Sequence, residues 1–265
     1  MQMNALASLG LATAVALSAG CGQGQREQPP SIVLLGERHD NAAGHAARLR
    51  WLQSRVDAGW RPVIAMEQFD LEAQGKLGRA RSECSDADCV IAMAAPPRSG
   101  WDWAHYRPVI ALALRHGLPL VAANLSRERA RSIVGKGFQP ELPAEVVRRY
   151  RLHAIAPQLL ATQVDEVRRA HCNQLPQAML EPMARAQIAR DVMMAEVLRV
   201  HAAHGVVLLA GNGHVRSDIG VPFWLRQQGL APYRSIGYVE GAGEGSYDES
   251  VPIALVTRPD ACTGP

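Results

Sequence analysis

Lysine is nearly missing from this chain of 265 residues: of its 28 basic residues, only Lys76 and Lys136 are not arginine. The formal net charge is +3, and no Lys/Arg-rich run or basic stripe interleaved with aromatics is present. That leaves no track for a nucleic-acid backbone and argues against a nucleic-acid partner. Anion contacts here would be made by planar guanidinium forks, which suit carboxylates, although surface solvation accounts for most arginines equally well. After the N-terminal segment no apolar run is long enough to span a bilayer, so membrane attachment would fall to that end. The cysteines lack the CxxC spacing of structural zinc, which makes a zinc site the lesser reading. No internal repeat divides the chain.

The first 20 residues carry no charged side chain and end in small residues just before Cys21, which reads as an export signal. The stretch Leu17, Ser18, Ala19, Gly20, Cys21 resembles a bacterial lipobox, in which the cysteine is lipidated and becomes the mature N-terminus. The alternative is a plain cleaved signal. Setting Cys21 aside leaves Cys84, Cys89, Cys172 and Cys262, an even number in a chain expected in an oxidising compartment. The short polar loop between Cys84 and Cys89 can close on itself, which would leave Cys172 for Cys262. Four cysteines allow three connectivities, and spacing does not choose among them.

Residues 21–265 read as a single α/β domain with a mostly parallel sheet in three layers. Short apolar runs at 32–35, 62–66, 119–123 and 206–210 predict buried strands, and 234–239 and 253–257 are two further candidates. Helical periodicity appears over 41–58, with Asn41 placed to cap it, over 103–116 and over 221–228. The segment 69–97 reads as a polar stretch holding the cysteine loop. Strand signals vanish across about 126–204, predicting a helical insertion of three or four helices before the fourth strand. Pro140, Pro143, Pro157, Pro176 and Pro182 are expected to mark its starts and breaks.

The chemistry gathers just beyond the apolar runs: Gly36, Glu37, Arg38, His39 and Asp40 after the first, Glu67 and Gln68 after the second, Asn124 after the third, and Gly211 to His214 after the fourth. Parallel strands present their carboxyl ends to one edge, so these stretches are expected to converge. Glu37, His39, Glu67 and His214 offer two carboxylates and two imidazoles, a set suited to acid-base catalysis. Glu37, His39 and His214 would be the natural ligands of a divalent metal. His45, one helical turn in, is near enough to join. A buried hydrogen-bonded network stapling the strand ends is the structural alternative.

The stretches LLGERHDNAAGHAARLRWL, VIAMEQF, WDWAHYRPVIALAL, ARAQIARDVMMAEVL and VVLLAGNGHVRSDIGVPFWL resemble the successive motifs of the ChaN-like haem-binding lipoproteins, within the Tiki and erythromycin-esterase-like superfamily. The resemblance covers nearly the whole mature chain. It implies haem or iron uptake and handling at the bacterial envelope, by an outer-membrane lipoprotein facing the periplasm or the surface. It implies a homodimer holding two haems face to face, one tyrosine on each iron, and histidine and lysine of the other subunit on the propionates. Wider relatives use glutamate and histidine motifs at the strand ends for metal-dependent hydrolysis of ester or peptide bonds, and those motifs fall on Glu37, His39, Glu67 and His214.

The family motif does not place the haem tyrosine. Tyr150 lies among Arg148, Arg149 and Arg151, with His153 three residues on, so a helix there would put a cation-flanked phenol and an imidazole on one face. Tyr106 is the second choice, although Trp101, Trp103 and Pro108 around it suggest core packing. Lys136, or an arginine in its place, is the expected propionate partner.

Overall fold

Every short apolar run lies in or beside a strand of one parallel sheet. The structure is a computed structural model describing residues 31–96, 99–241, 245–259 and 262. Its strands are β1 (Ile32–Leu35), β2 (Val63–Asp70), β3 (Leu120–Asn124), β4 (Val206–Leu209), β5 (Tyr233–Glu240) and β6 (Glu249–Ile253). They stand in the order β3-β2-β4-β1-β5-β6, and every neighbouring pair is parallel. The expected export segment 1–20 and Cys21 lie outside the described residues.

Helices cover both faces, which is why β1 and β4 are continuously apolar and wholly buried. Leu34 and Ile32 face one side and Val33 and Leu35 the other, so two cores form. Against the second face pack α1 (Ala42–Asp57), α2 (Gln74–Glu83), α3 (Ala87–Ala94) and α4 (Arg107–Arg115). Against the first pack α5 (Arg127–Lys136), α6 (Ala144–Arg149), α7 (Pro157–Ala170), α8 (Gln177–His201) and α9 (Val221–Gln227). The three-layer α/β reading therefore holds, and α5 to α8 are the insertion before the fourth strand.

Local chemistry explains most boundaries. Asn41 caps α1 through its side chain, accepting from Gly44 N at 2.8 Å. Pro157 opens α7, while Pro143 and Pro176 cap α6 and α8. Pro182 departs from expectation, since α8 runs through it. The carbonyl that loses its partner there belongs to Ala178 in the exposed first turn, where water can replace the missing N–H.

The segment 69–97 holds two helices that sequence reading missed. In α2 only Leu77 and Ala80 are buried, so its apolar stripe is too thin to show as a period. The last strand sits earlier than 253–257: β6 is an edge strand that alternates in burial, a weaker signal than the apolar run following it. β2 extends through Glu67 and Gln68 to Asp70, with a register irregularity between Met66 and Asp70 that aims these polar residues at the sheet's edge. Both disulfides are present, Cys84–Cys89 and Cys172–Cys262, so the structure selects one of the three connectivities.

Candidate active site

β1 and β4 are paired in register, with Leu35 opposite Leu209, yet their chains diverge. After β1 the chain crosses toward β2, and after β4 it crosses to β5 on the far side of β1. Diverging connections open a crevice beyond the carboxyl ends of such a pair. The loop after β1 and the loop after β4 therefore meet, and Glu37, His39, Glu67 and His214 all lie at this end.

Glu37 is buried and fully engaged. Its Oε1 accepts from His39 Nδ1 at 2.8 Å and from the Tyr106 hydroxyl at 2.5 Å, while Oε2 receives Arg48 Nη1. Gln68 Nε2 stands at 3.4 Å. His45 joins beneath: Arg48 Nη2 lies 3.0 Å from its Nδ1, and its Nε2 lies 3.0 Å from the His39 carbonyl. A guanidinium can only donate, so Nδ1 of His45 accepts and Nε2–H donates, which makes the ring neutral. Burial agrees, pushing His45 down to about 4.

The second cluster joins Glu67, His214 and Asp191. His214 Nδ1 is 2.6 Å from Asp191 Oδ1 and its Nε2 is 3.5 Å from Glu67 Oε1. Glu67 Oε2 accepts from Gly211 N at 2.7 Å. Burial alone would discharge His214, but the two carboxylates outweigh it and raise the imidazole to about 10. Burial likewise works against the Glu67 carboxylate. The His214 charge and hydrogen bond, with help from His39 and Gly211 N–H, prevail and lower it to about 2. Asp191, Glu67 and His214 thus share a proton that rests on the imidazolium.

His39 links the clusters. A Cβ on Gly211 would sit 2.9 Å from His39 Cε1 and 3.1 Å from its Nε2, so glycine is what lets the ring approach Glu67. The ring is half exposed and packs edge-on to Trp101. Partial burial lowers its basicity, against the pull of Glu67. A neutral His39 donates Nδ1–H to Glu37, which leaves Nε2 without a hydrogen-bond partner among the described residues, and its ring lines a cleft of about 730 Å³ with Glu67, Asp70, Asn124, Arg190 and His214. A carboxylate-held imidazole with an open nitrogen can remove a proton from a bound nucleophile.

The expected metal set of Glu37, His39 and His214 is not assembled. Both oxygens of Glu37 are taken by Arg48, His39 and Tyr106, while the nitrogens of His214 face Asp191 at 2.6 Å and Glu67 at 3.5 Å. Among the described residues no group of three His, Cys, Asp or Glu is placed to hold a metal ion.

The tyrosines also depart from expectation. Tyr150 ends α6 rather than continuing it, Arg151 turns into the left-handed region, and His153 is exposed beyond the turn, so no shared helical face exists. The Tyr150 ring is buried against Trp224, its hydroxyl donates to Glu196 at 3.2 Å, and burial followed by the Glu196 charge pushes the phenol up, away from phenolate. Tyr106 is buried on Glu37 and is likewise pushed up by burial. Tyr238 is buried as well. Tyr233 and Tyr247 are half-buried: Arg226 donates to the Tyr233 hydroxyl at 2.7 Å, and Tyr247, whose hydroxyl lies 3.5 Å from the Asn212 carbonyl, lines a second cleft with Arg38 and Arg216.

Sequence reasoning missed Arg48 and Tyr106 as partners of Glu37 and left the direction of Asp191 open. A signal existed for Asp191, which lies on the stripe of Ile188, Val192 and Ala195, a charged residue on a buried helix face.

Comparison with known proteins returns a profile described as haem-binding uptake, Tiki superfamily, ChaN, which matches residues 25–225. Among solved structures, the one titled as cofacial haem binding to ChaN of Campylobacter jejuni superposes with a TM-score of 0.67 at 20% identity, covering 83% of this chain and 86% of that one. A mutant of erythromycin esterase EreC in its open conformation superposes with a TM-score of 0.45 at 12% identity, covering 79% of this chain and 70% of that one. No curated protein matches the sequence.

Proposed function

Because the chain belongs to the haem-binding uptake family of the Tiki superfamily, we propose that it binds haem and handles it at the bacterial envelope as a lipoprotein anchored through Cys21. The match over residues 25–225 supports the haem-binding part of this reading, and the lipobox-like stretch ending at Cys21 is the ground for the anchor. The two disulfides suit an oxidising compartment. A phenolate ligand needs an accessible tyrosine, which directs attention to Tyr233 and Tyr247 and away from Tyr150 and Tyr106. When bound, haem would supply the iron, and this chain would supply the phenol, the arginines near it for the propionates, and a second copy to close the site as a homodimer.

Haemin titration of the purified mature protein, followed by absorption and by light scattering for the dimer, tests this. Saturable binding that is lost in Tyr233→Phe or in Tyr247→Phe, and retained in Tyr150→Phe, is expected. Absence of binding in the parent sinks the reading. Mass spectrometry of the N-terminal peptide should find a diacylated Cys21.

A second reading is favoured by the open Nε2 of His39 in the strand-end cleft: hydrolysis of an ester or amide. His39 would take a proton from water, the oxygen would attack the carbonyl carbon, and His39 would return the proton to the leaving group as its bond breaks. The products are the acid and the alcohol or amine. A panel of p-nitrophenyl esters should be turned over by the parent and not by His39→Ala, with haem binding unchanged in both. Equal turnover in parent and variant would remove His39 from the chemistry.

A further inference from the structure

The strand-end cleft holds more cationic chemistry than the acid-base cluster uses. Arg190, from α8, reaches across to Asn124 Oδ1 at 2.5 Å and to Leu125 O at 3.0 Å, both through Nη1. These acceptors are neutral dipoles, and among the described residues Arg190 makes no ion pair and no hydrogen bond through Nε or Nη2. Most of its surroundings are protein, and burial lowers its basicity. An arginine so held normally has a carboxylate on its fork, because desolvating a guanidinium without one is costly.

Two further arginines line the same cleft from α5. Arg127 and Arg131 are exposed, and neither makes an ion pair among the described residues. Arg127 lies near enough to Arg190 for the two charges to repel. The charges of Glu67, Asp70 and Asp191 also act on Arg190, but among the described residues no carboxylate is within ion-pair distance of its fork, which leaves the fork open to an anion. The first turn of α5, capped by Ser126, opens on the cleft and adds the positive end of a ten-residue helix.

The carboxylates of the cleft do not cancel this. Glu67 is committed to Gly211 N and His214. Glu128 is exposed. Asp70 makes no ion pair or side-chain hydrogen bond among the described residues, and its burial together with Glu72 favours its uncharged form against the pull of Arg190.

We propose that Arg190, Arg127 and Arg131 form an oxyanion-binding subsite in the strand-end cleft, which takes a ligand bearing a carboxylate or phosphate group and holds it beside His39. Arg190 is the buried fork that orients the anion, and the α5 arginines attract and cover it. Asp70 sets a ceiling on affinity, because any charge it retains opposes the anion. The subsite does not rest on the hydrolytic reading, and a protein that binds the anion and cleaves nothing would sink that reading alone.

Isothermal titration of the mature protein with potassium phosphate and, separately, with succinate tests the proposal and distinguishes the two anion classes. Saturable binding of at least one is expected. The double variant Arg127→Gln/Arg131→Gln, which removes exposed side chains holding no ion pair, should weaken it by about tenfold or more. Arg190→Gln should weaken it further, with circular dichroism confirming the fold, and Asp70→Asn should tighten it. Arg61→Gln, far from the cleft at the start of β2, should leave it unchanged. No saturation by either anion, or equal affinity in the parent and the double variant, would overturn the subsite.

Discussion

Replacing His214 by alanine should destabilise the protein strongly at neutral pH and much less at alkaline pH. The imidazolium stands between two buried carboxylates, 2.6 Å from Asp191 and 3.5 Å from Glu67, with little solvent access. Its folded value of about 10 exceeds the ordinary 6.5 because those carboxylates outweigh burial. A folded value above the unfolded one gives stability that is complete below pH 6.5 and drains away as the pH rises toward 10. At about 1.4 kcal/mol per unit, the protonated ring is worth roughly 5 kcal/mol at its greatest and about 1 kcal/mol at pH 9. Removing one partner of a buried ion pair typically costs about 3–5 kcal/mol, in accord with the upper figure. Urea unfolding followed by tryptophan fluorescence at pH 6.5 and pH 9 measures the difference between parent and variant. The gap should shrink by roughly 3 kcal/mol between these conditions. A gap that stays constant would show that His214 contributes packing and not charge, and would refute the shared-proton description of the cluster.

Arg48→Met should cost about 3–5 kcal/mol, because it leaves Glu37 buried without its guanidinium, and the double variant Arg48→Met/Glu37→Met should recover much of that loss in the same urea assay. Gly220→Ala should lower stability by roughly 1–3 kcal/mol, since the new Cβ would fall 2.3 Å from the His214 carbonyl oxygen, and the denaturation midpoint reports it. Cys172→Ala releases a cross-link spanning 90 positions and should reduce stability by about 2–4 kcal/mol under non-reducing conditions, with no effect once the parent is reduced.

The sequence by itself determined the class of fold. Four of its apolar runs are short, continuous and flanked by helical periods, and strands buried on both faces have no other common home than a parallel sheet under two helical layers. It also placed Glu37, His39 and His214 at the strand ends, since a parallel sheet puts every carboxyl terminus at one edge whatever the intervening helices do. It could not say which groups neutralise one another. Whether His214 is a metal ligand or an imidazolium depends on Asp191, 23 positions away in a helix whose rotation only packing fixes. Whether Glu37 is free depends on Arg48 and Tyr106, brought to it by α1 and by the residue just before α4. Tyr150 shows the same limit from the other side: three flanking arginines suggest an accessible phenol, yet the chain ends its helix there and turns the ring inward against Trp224. Composition and spacing set which groups are available and at which edge, while charge state, access and partner follow from distances of a few ångströms between segments far apart in the chain, which the folded structure alone supplies.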